Sequence, residues 1–250
     1  MSTIDDSGIR ESLEEVMMAL PVSKLPKPYY SEGEIVLYNA DCRDILPLLG
    51  PVDLVLTDPP YGVGYDTWDK ECPYDLLPVF LKKSKGAVIW FGAAPQSVWI
   101  DKFSPRPKRI LIWSPKFTLS HAQQDGISYR WHPIYCWNLP KKHDGPVWDQ
   151  LDDSTETGNW WKHSCTKPLS LMKKLSAFCP EDGTILDPFL GSGTTLLAAK
   201  SLRRKAIGVE LDEAYCAIAV ERLKQQVLPF LSPSLSQQTQ SSLFSDPHTE

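Results

Sequence analysis

The chain has 250 residues, 42% of them apolar and 23% charged, with a formal net charge of −5. These values are typical of a globular protein with one full core and room for a small appendage. No apolar run approaches the roughly 18 to 20 residues that a membrane span needs, and the acidic N-terminus lacks the apolar core of a secretion signal. We therefore expect neither a membrane protein nor a secreted one.

The six cysteines are scattered along the chain and form no Cys-x-x-Cys pair. This spacing argues against a zinc site and against a disulfide framework, and it suits a protein of a reducing cytosol. We therefore expect a protein without a metal site.

Positive charge is concentrated in the middle of this acidic chain. Residues 102–174 contain twelve Lys or Arg and six Asp or Glu, an excess of +6 that leaves −11 on the remainder. A basic segment of this kind is either a footprint for the phosphates of a nucleic acid or a mixed, solvated surface. Charge alone does not choose between these two interpretations.

The two ends of the chain differ from its body. Residues 9–20 place apolar side chains on one face of a helix, and three prolines between positions 21 and 28 end that helix. We interpret 1–28 as a helix and a linker, whose apolar face packs either on its own domain or on a second subunit in a homodimer. Residues 229–250 are rich in Ser, Gln and Pro, which predicts a disordered tail.

Between 29 and 228, β-rich runs alternate with helical ones, which indicates one folded domain; the resemblance described below implies that this domain is catalytic. The predicted strands are 35–39, 53–57, 87–91, 109–113, 132–137, 184–187 and 206–210. The predicted helices are 42–49, 74–84, 95–102, 169–179, 193–203 and 213–227. This alternation predicts an α/β fold with a doubly wound, mostly parallel, seven-stranded sheet. Residues 138–162, with three Trp, interrupt the pattern as a loop or small insert.

A glycine-rich turn follows the strand that ends in Asp187. Its sequence is Asp187-Pro188-Phe189-Leu190-Gly191-Ser192-Gly193-Thr194-Thr195, and its glycines let backbone N–H groups approach a ligand closely. The next strand ends in Glu210, where an acidic residue is placed to bind both hydroxyls of a ribose. The third glycine of an NAD-binding turn and the Lys of a Walker loop are both absent. The pattern predicts a site for another nucleoside cofactor.

A second motif, Asp58-Pro59-Pro60-Tyr61, follows the apolar run 52–57. Ligands of open α/β sheets bind beyond the carboxyl ends of the strands, so Asp58 and Asp187 should face the same crevice. The two prolines remove two N–H groups and leave acceptors, namely the Asp58 carboxylate and the Pro59 carbonyl. Two acceptors suit the two N–H donors of a planar amine, and Tyr61 offers a flat face for a ring. A simple Pro-Pro turn is the alternative.

The order of the two motifs resembles that of the β-class amino-methyltransferases of DNA, which use S-adenosylmethionine. In that family the amine motif precedes the cofactor motif, whereas methyltransferases of ribosomal RNA or protein glutamine normally place a similar motif after the glycine turn. Asn39-Ala40-Asp41-Cys42 resembles the family's Gly-Asp-Cys segment, with Ala40 replacing Gly. His163-Ser164-Cys165-Thr166-Lys167-Pro168 resembles its His-Pro-Thr-x-Lys-Pro segment, with Ser164 replacing Pro. The resemblance covers about 33–227.

The resemblance implies a Rossmann-like methyltransferase fold in circularly permuted order, with 138–162 as a small recognition insert. It implies that a base rotates out of double-stranded DNA into the pocket and is methylated without a metal. The residues that it assigns to catalysis are Asp58, Pro59, Pro60 and Tyr61. Those that it assigns to S-adenosylmethionine are Asp41, Cys42, Lys167, Asp187, Phe189, Gly191, Ser192, Gly193, Thr194 and Glu210.

The resemblance favours the N6 amine of adenine as the target, because Asp is usual at the first motif position in adenine enzymes and Ser is more frequent in cytosine enzymes. N4 of cytosine is the alternative, followed by an RNA or protein amine and by a non-catalytic DNA-binding module. The family also implies a cytoplasmic protein of a bacterium or a phage-infected cell, in the setting of restriction and modification.

The predicted tail is expected to be dispensable. A chain truncated after Leu228 should keep the thermal stability and methyl-transfer activity of the full chain, because the composition of 229–250 cannot bury a core. Differential scanning calorimetry and an activity assay on both chains check this expectation. A lower unfolding temperature of the shorter chain would show that the tail is structural.

Overall fold

A nine-stranded sheet forms the centre of the fold. The computed structural model describes residues 25–64, 67, 69–93, 100–115, 123–124, 127–128, 130–140, 149–153 and 166–225. In chain order its strands are β1 (Tyr30–Glu32), β2 (Ile35–Asn39), β3 (Val52–Thr57), β4 (Ser84–Phe91), β5 (Arg109–Trp113), β6 (Gln123–Gln124), β7 (Ile127–Ser128), β8 (His132–Trp137), β9 (Gln150–Leu151), β10 (Thr184–Asp187) and β11 (Lys205–Glu210). Strands β6 and β7 pair only with each other, and the other nine form the sheet.

The strand order of the sheet is β1-β2-β11-β10-β3-β4-β8-β5-β9. Strands β2, β11, β10, β3 and β4 run parallel, and β8 is antiparallel to both of its neighbours. The late strands β10 and β11 therefore lie between the early strands β2 and β3. This arrangement brings the carboxyl ends of β2, β3, β10 and β11 to one edge, as the permuted order of motifs predicts.

All seven predicted strands are present, and the α/β prediction is confirmed. The sheet is wider than predicted because β1 and β9 add a short strand at each edge. Strands of three and two residues are too short to show a period in the sequence. Backbone bonds hold β9 against β5, since Ile112 N–H donates to Asp149 O at 2.6 Å and Ser114 N–H donates to Leu151 O at 2.9 Å.

The described helices are α1 (Cys42–Ile45), α2 (Leu77–Lys83), α3 (Leu169–Ser176), α4 (Thr194–Ser201) and α5 (Glu213–Gln225). The predicted helix 42–49 is shorter because Pro47 cannot donate a backbone bond, and a 3₁₀ turn at Leu46–Leu48 replaces its second half. The predicted helix 74–84 begins as a 3₁₀ turn at Tyr74–Leu76, and Ser84 belongs to β4. The predicted N-terminal helix, the tail and most of helix 95–102 lie outside the described residues.

Two apolar layers cover the two faces of the sheet, as a doubly wound fold requires. Along β3, Leu54 and Leu56 point into one layer and Val55 points into the other. The first layer includes residues of α3, α4 and α5, and the second includes residues of α1 and α2. None of the helices in the described part of the chain combines the length and the hydropathy that a membrane crossing requires.

Candidate active site

A cavity of about 320 Å³ opens at the edge where β2, β3, β10 and β11 end. This volume lies within the range of small-molecule sites. The structure describes all fourteen residues predicted for the site, and eleven of them line the cavity. They are Asp41, Cys42, Asp58, Pro60, Lys167, Asp187, Phe189, Gly191, Ser192, Thr194 and Glu210. The expectation that Asp58 and Asp187 face one crevice is therefore confirmed.

The glycine-rich turn connects β10 to α4, and backbone geometry explains its two glycines. Gly191 and Gly193 have φ values of +55° and +86°, a region that side chains disfavour. A Cβ on Gly193 would lie 2.7 Å from the Cβ of Ala219 on α5, so this glycine also permits close packing of α4 and α5. Arg222 of α5 donates from Nη1 to Ser192 O at 2.6 Å and thereby anchors the turn from behind.

The carboxylate of Asp187 is buried beneath this turn. Its Oδ1 accepts from Phe189 N–H at 3.1 Å, and its Oδ2 accepts from the hydroxyl of Thr195 at 2.5 Å. Burial raises the pKa of Asp187 to about 7, and the neighbouring carboxylates of Asp58 and Glu210 add to this rise, while the two donors oppose it. Asp187 therefore shapes the turn as well as lining the cavity.

Glu210 lies at the opposite side of the turn, at the end of β11. Its Oε2 accepts from Gly191 N–H at 2.7 Å, and its Oε1 accepts from Asp212 N–H at 2.9 Å. Burial raises the pKa of Glu210, and these backbone donors oppose that effect. Asp41 caps α1 by accepting from Arg43 N–H at 2.8 Å. Both acidic residues thus stand in the cavity wall, Glu210 at the end of β11 and Asp41 at the start of α1.

The motif that follows β3 forms a compact cluster with Lys167. The ammonium of Lys167 contacts Asp58 Oδ2, and the hydroxyl of Tyr61 donates to Asp58 Oδ1. Lys167 also donates to the Tyr61 hydroxyl at 3.1 Å. The side chain of Lys167 is only 9% exposed, while that of Asp58 is 23% exposed. The resemblance assigns Lys167 to the cofactor, whereas its observed partners belong to the amine motif.

Aromatic rings surround this cluster. The Lys167 ammonium lies 5.2 Å from the centre of the Phe91 ring, 5.7 Å from that of Tyr61 and 6.0 Å from that of Trp113. His132 stacks on Trp113 with ring centres 4.9 Å apart. Burial lowers the pKa of His132 to about 4, and the positive charge of Lys167 acts in the same direction. Strands β3, β4, β5 and β8 therefore contribute to one half-buried, aromatic-walled site.

Two residues at the site gave no signal in the sequence. Arg222 lies in the last turns of a helix, where a basic residue is ordinary. Asp69 lies eight positions after Tyr61, the last residue of the amine motif, and belongs to no pattern. Its carboxylate nevertheless accepts backbone N–H bonds from Tyr61 at 2.5 Å and from Gly62 at 2.7 Å. Only the folded geometry identifies these two residues.

Comparison with known proteins is consistent with this geometry. The family model N6_N4_Mtase, described as DNA methylase, matches residues 52–221, which include β3 to β11, the amine motif and the glycine turn. The chain belongs to this DNA methylase family. The methylase is therefore a site-specific methyltransferase that acts on an amine of a DNA base, with S-adenosylmethionine as the methyl donor.

Individual relatives of the methylase extend over most of its length. It is 26% identical to the type II methyltransferase M.ScaI of Streptomyces caespitosus, over 81% of this chain and 85% of the relative. It is 25% identical to the type II methyltransferase M2.DpnII of Streptococcus pneumoniae, over 81% and 94% of the two chains. Both relatives are therefore similar along nearly their whole length.

Solved structures share the fold. The PvuII DNA methyltransferase, which is cytosine-N4-specific, matches with a TM-score of 0.66 at 19% identity, over 86% of this chain and 92% of that one. The M1.HpyAVI–SAM complex matches with a TM-score of 0.61 at 22% identity, over 75% and 99% of the two chains. The methylase thus has the Rossmann-like methyltransferase fold.

The residues of the cavity fit S-adenosylmethionine, which carries two positive centres and a nucleoside. Five carboxylates line the cavity and suit a cationic ligand; they belong to Asp41, Asp58, Asp187, Glu210 and Asp212. Phe189 adds a flat apolar surface. In the described part of the chain, no group of three His, Cys, Asp or Glu side chains is arranged to hold a metal ion.

The two shifted pKa values predict how stability depends on pH. Asp187 titrates near 7 in the folded protein instead of 3.8, so its contribution to stability falls as pH rises through about 4 to 7. The pKa of His132 is about 4 in the folded protein instead of 6.5, so its contribution to stability falls as the pH drops from about 6.5 to 4. The two effects oppose each other in the wild-type protein. Asp187→Asn should remove the first effect and reveal the second.

Urea unfolding at pH 5, 6, 7 and 8 measures this difference. The free energy of unfolding of Asp187→Asn relative to wild type should rise by about 2–4 kcal/mol between pH 5 and pH 8. Asp182→Asn is the control, because Asp182 is close to Asp187 in the chain but is exposed. Its free energy of unfolding should depend on pH as that of the wild-type protein does. Parallel curves for wild type and Asp187→Asn would contradict the proposed titration.

Proposed function

We propose that this methylase transfers a methyl group to the exocyclic N6 amine of adenine in double-stranded DNA, and that Asp58 binds the amine. The observation that supports this proposal most is the position of the Asp58 carboxylate. It lines the cavity at the end of β3, next to the turn that fits the cofactor, and it is held by Lys167 and Tyr61.

The carboxylate of Asp58 keeps acceptor capacity for a substrate. Each oxygen of an ionised carboxylate offers about two lone-pair sites, and the observed contacts with Lys167 and Tyr61 use one site on each oxygen. The remaining sites suit the N–H donors of a planar amine, together with the carbonyl of Pro59. Two acceptors of this kind favour a pyramidal nitrogen, whose lone pair is then available for attack.

S-adenosylmethionine would supply the methyl group on its sulfonium. The amine nitrogen gains positive charge as its new N–C bond forms and the bond from the methyl carbon to sulfur breaks, which would leave a neutral thioether. The negative charge of Asp58 stabilises the charge on the nitrogen. Asp58 would also accept the proton that the methylated nitrogen must lose. Tyr61 would stack on the flipped base, and the rings of Phe91 and Trp113 lie beside the Lys167 ammonium that contacts Asp58.

The choice of adenine rests on the first position of the amine motif. Asp58 occupies that position, and Asp is usual in adenine enzymes of the family, whereas Ser is more frequent in cytosine enzymes. The likeness to the cytosine-N4-specific PvuII enzyme is a likeness of fold, at 19% identity. A carboxylate can both bind the amine and take its proton, which a serine hydroxyl does less readily.

The basic middle of the chain supports DNA as the partner. Lys102, Arg106, Lys108 and Arg109 are exposed in the described part of this segment. Phosphate contacts of Lys and Arg provide most of the sequence-independent affinity for DNA. They precede β5 or begin it. Because β5 runs parallel to β4, Arg109 lies at the end of β5 that points away from the cavity edge, so a phosphate that it binds is remote from the base in the pocket.

Substitution of Asp58 tests the proposed chemistry. Asp58→Ala should lower single-turnover methyl transfer by about 100- to 1000-fold, because it removes a preorganised acceptor from the transition state. Transfer of tritium from labelled S-adenosylmethionine to DNA measures the rate and also excludes or supports the non-catalytic alternative. Mass spectrometry of digested DNA should identify N6-methyladenine; N4-methylcytosine would overturn the choice of base and leave the mechanism in place.

Asp58→Ala also leaves Lys167 buried without its carboxylate, which is expected to destabilise the fold. The double variant Asp58→Ala/Lys167→Met removes the unpaired cation, so it should regain thermal stability and stay inactive. Asp101→Ala, at an exposed ion pair, is the control and should have wild-type activity. Methyl transfer by Asp58→Ala at close to the wild-type rate would remove the proposed mechanism.

Glu210 tests the cofactor half of the site. Glu210→Ala should weaken S-adenosylmethionine binding by roughly 1.5–3 kcal/mol, because it removes charged acceptors from the cavity wall. Isothermal titration calorimetry measures the affinity, and we expect it to be the same with and without EDTA. Glu34→Ala, at an exposed carboxylate, is the control. Equal affinities for Glu210→Ala and wild type would show that Glu210 only supports the turn.

A further inference from the structure

Asp69 is a fully buried carboxylate that binds the loop after the amine motif. Its Oδ1 accepts from Tyr61 N–H at 2.5 Å and from Gly62 N–H at 2.7 Å, and its Oδ2 accepts from Val63 N–H at 3.2 Å. Its backbone carbonyl accepts from Gly64 N–H at 3.2 Å. The residue is 0% exposed. One side chain thus collects three successive backbone donors.

The preceding prolines explain why this loop depends on a side chain. Pro59 and Pro60 have no N–H, so the backbone donors that follow Asp58 begin with those of residues 61–63. A buried, unpaired carboxylate is very unfavourable, and so are buried, unpaired N–H groups. Asp69 and the loop therefore stabilise each other, and neither is expected to keep its conformation without the other.

The loop also lies directly on the segment that follows Asp69. Gly62 has a φ of +71°, and a Cβ at this position would meet the backbone nitrogen of Cys72 at 2.9 Å. The left-handed backbone and the close approach both require glycine. The conformation of residues 61–63 is therefore fixed from two sides, by the carboxylate of Asp69 and by the backbone of Cys72.

Tyr61 connects this arrangement to the amine site. Its N–H is held by Asp69, and its hydroxyl donates to Asp58 and accepts from Lys167 at 3.1 Å. Tyr61 is thus held at its backbone and at the tip of its ring. We infer that Asp69 is a positioning residue for methyl transfer, which fixes Tyr61 and through it the orientation of the Asp58 carboxylate. This inference rests on the proposed function of Asp58.

Asp69→Asn and Asp69→Ala test the inference, because they remove different numbers of the hydrogen bonds that Asp69 accepts. The Asn side chain can keep its oxygen at the Oδ1 position and retain the bonds from Tyr61 and Gly62, while its NH₂ group would face the Val63 N–H donor. The Ala side chain loses all three bonds. Glu71→Gln is the control, because Glu71 is exposed, lies two residues away and loses the same charge.

The measurements are single-turnover methyl transfer to unmethylated plasmid DNA, S-adenosylmethionine affinity by calorimetry and thermal unfolding. A 1 Å misplacement of reacting groups can cost about 100-fold in rate, so Asp69→Ala should lose about 100-fold and Asp69→Asn about 10-fold. Cofactor affinity should stay within about threefold of wild type for Asp69→Asn, since the cofactor residues lie on other strand ends. Glu71→Gln should match wild type.

A double-mutant cycle separates positioning from stability. If Asp69 acts through Tyr61, then Asp69→Asn should slow methyl transfer much less in a Tyr61→Phe background than in wild type. Additive losses in the cycle, or a loss of rate that only follows the unfolded fraction, would overturn the inference. If the wild-type protein transfers no methyl group to DNA, the proposed function is wrong. If the wild-type protein is active and Asp69→Asn transfers methyl groups at the same rate, only the role of Asp69 is refuted.

Discussion

The crowding of carboxylates at one sheet edge is the constraint on which the rest of the site depends. Asp58, Asp187 and Glu210 end three parallel strands, and Asp69 lies beneath the loop that follows one of them. A carboxylate that is removed from water is unfavourable unless hydrogen-bond donors replace the solvent. Each carboxylate therefore needs donors close by: the loops fold around three of them with backbone N–H groups, and Lys167 binds the fourth.

The two halves of the site are joined by side chains as well as by the sheet. Lys167 lines the cofactor cavity and contacts Asp58, so one cation serves both the cofactor half and the amine half. The hydroxyl of Thr166, the preceding residue, lies 3.4 Å from that of Ser192 in the glycine turn. The segment before α3 thus contacts the loop after β3 and the turn after β10.

Local patterns in the sequence predicted most of this architecture. Alternating apolar runs located seven strands, and the acidic residues at their ends identified Asp58, Asp187 and Glu210 as cavity residues. The remaining features depend on contacts between distant segments. Arg222 anchors a turn thirty residues away, and Asp69 binds N–H groups, which every residue except proline carries, so neither has a sequence signature. The edge strands β1 and β9 were not predicted, because these short strands form by pairing with β2 and β5 and show no periodic pattern of their own.

The order of strands has a consequence for how the chain acquires its structure during synthesis. The neighbours β3 and β10 are linked by a bond from Thr184 N–H to Asp53, across a separation of 131 residues. Pairing over such distances slows folding, because the entropy of closing the long loop is lost before the contacts between the strands stabilise it. The first half of the chain leaves the ribosome with a gap in its sheet, between β2 and β3, that only residues 184–210 can fill. The cavity is therefore absent from every nascent chain until its last quarter has emerged, and a premature stop before β10 leaves two unpaired strand edges exposed to other chains.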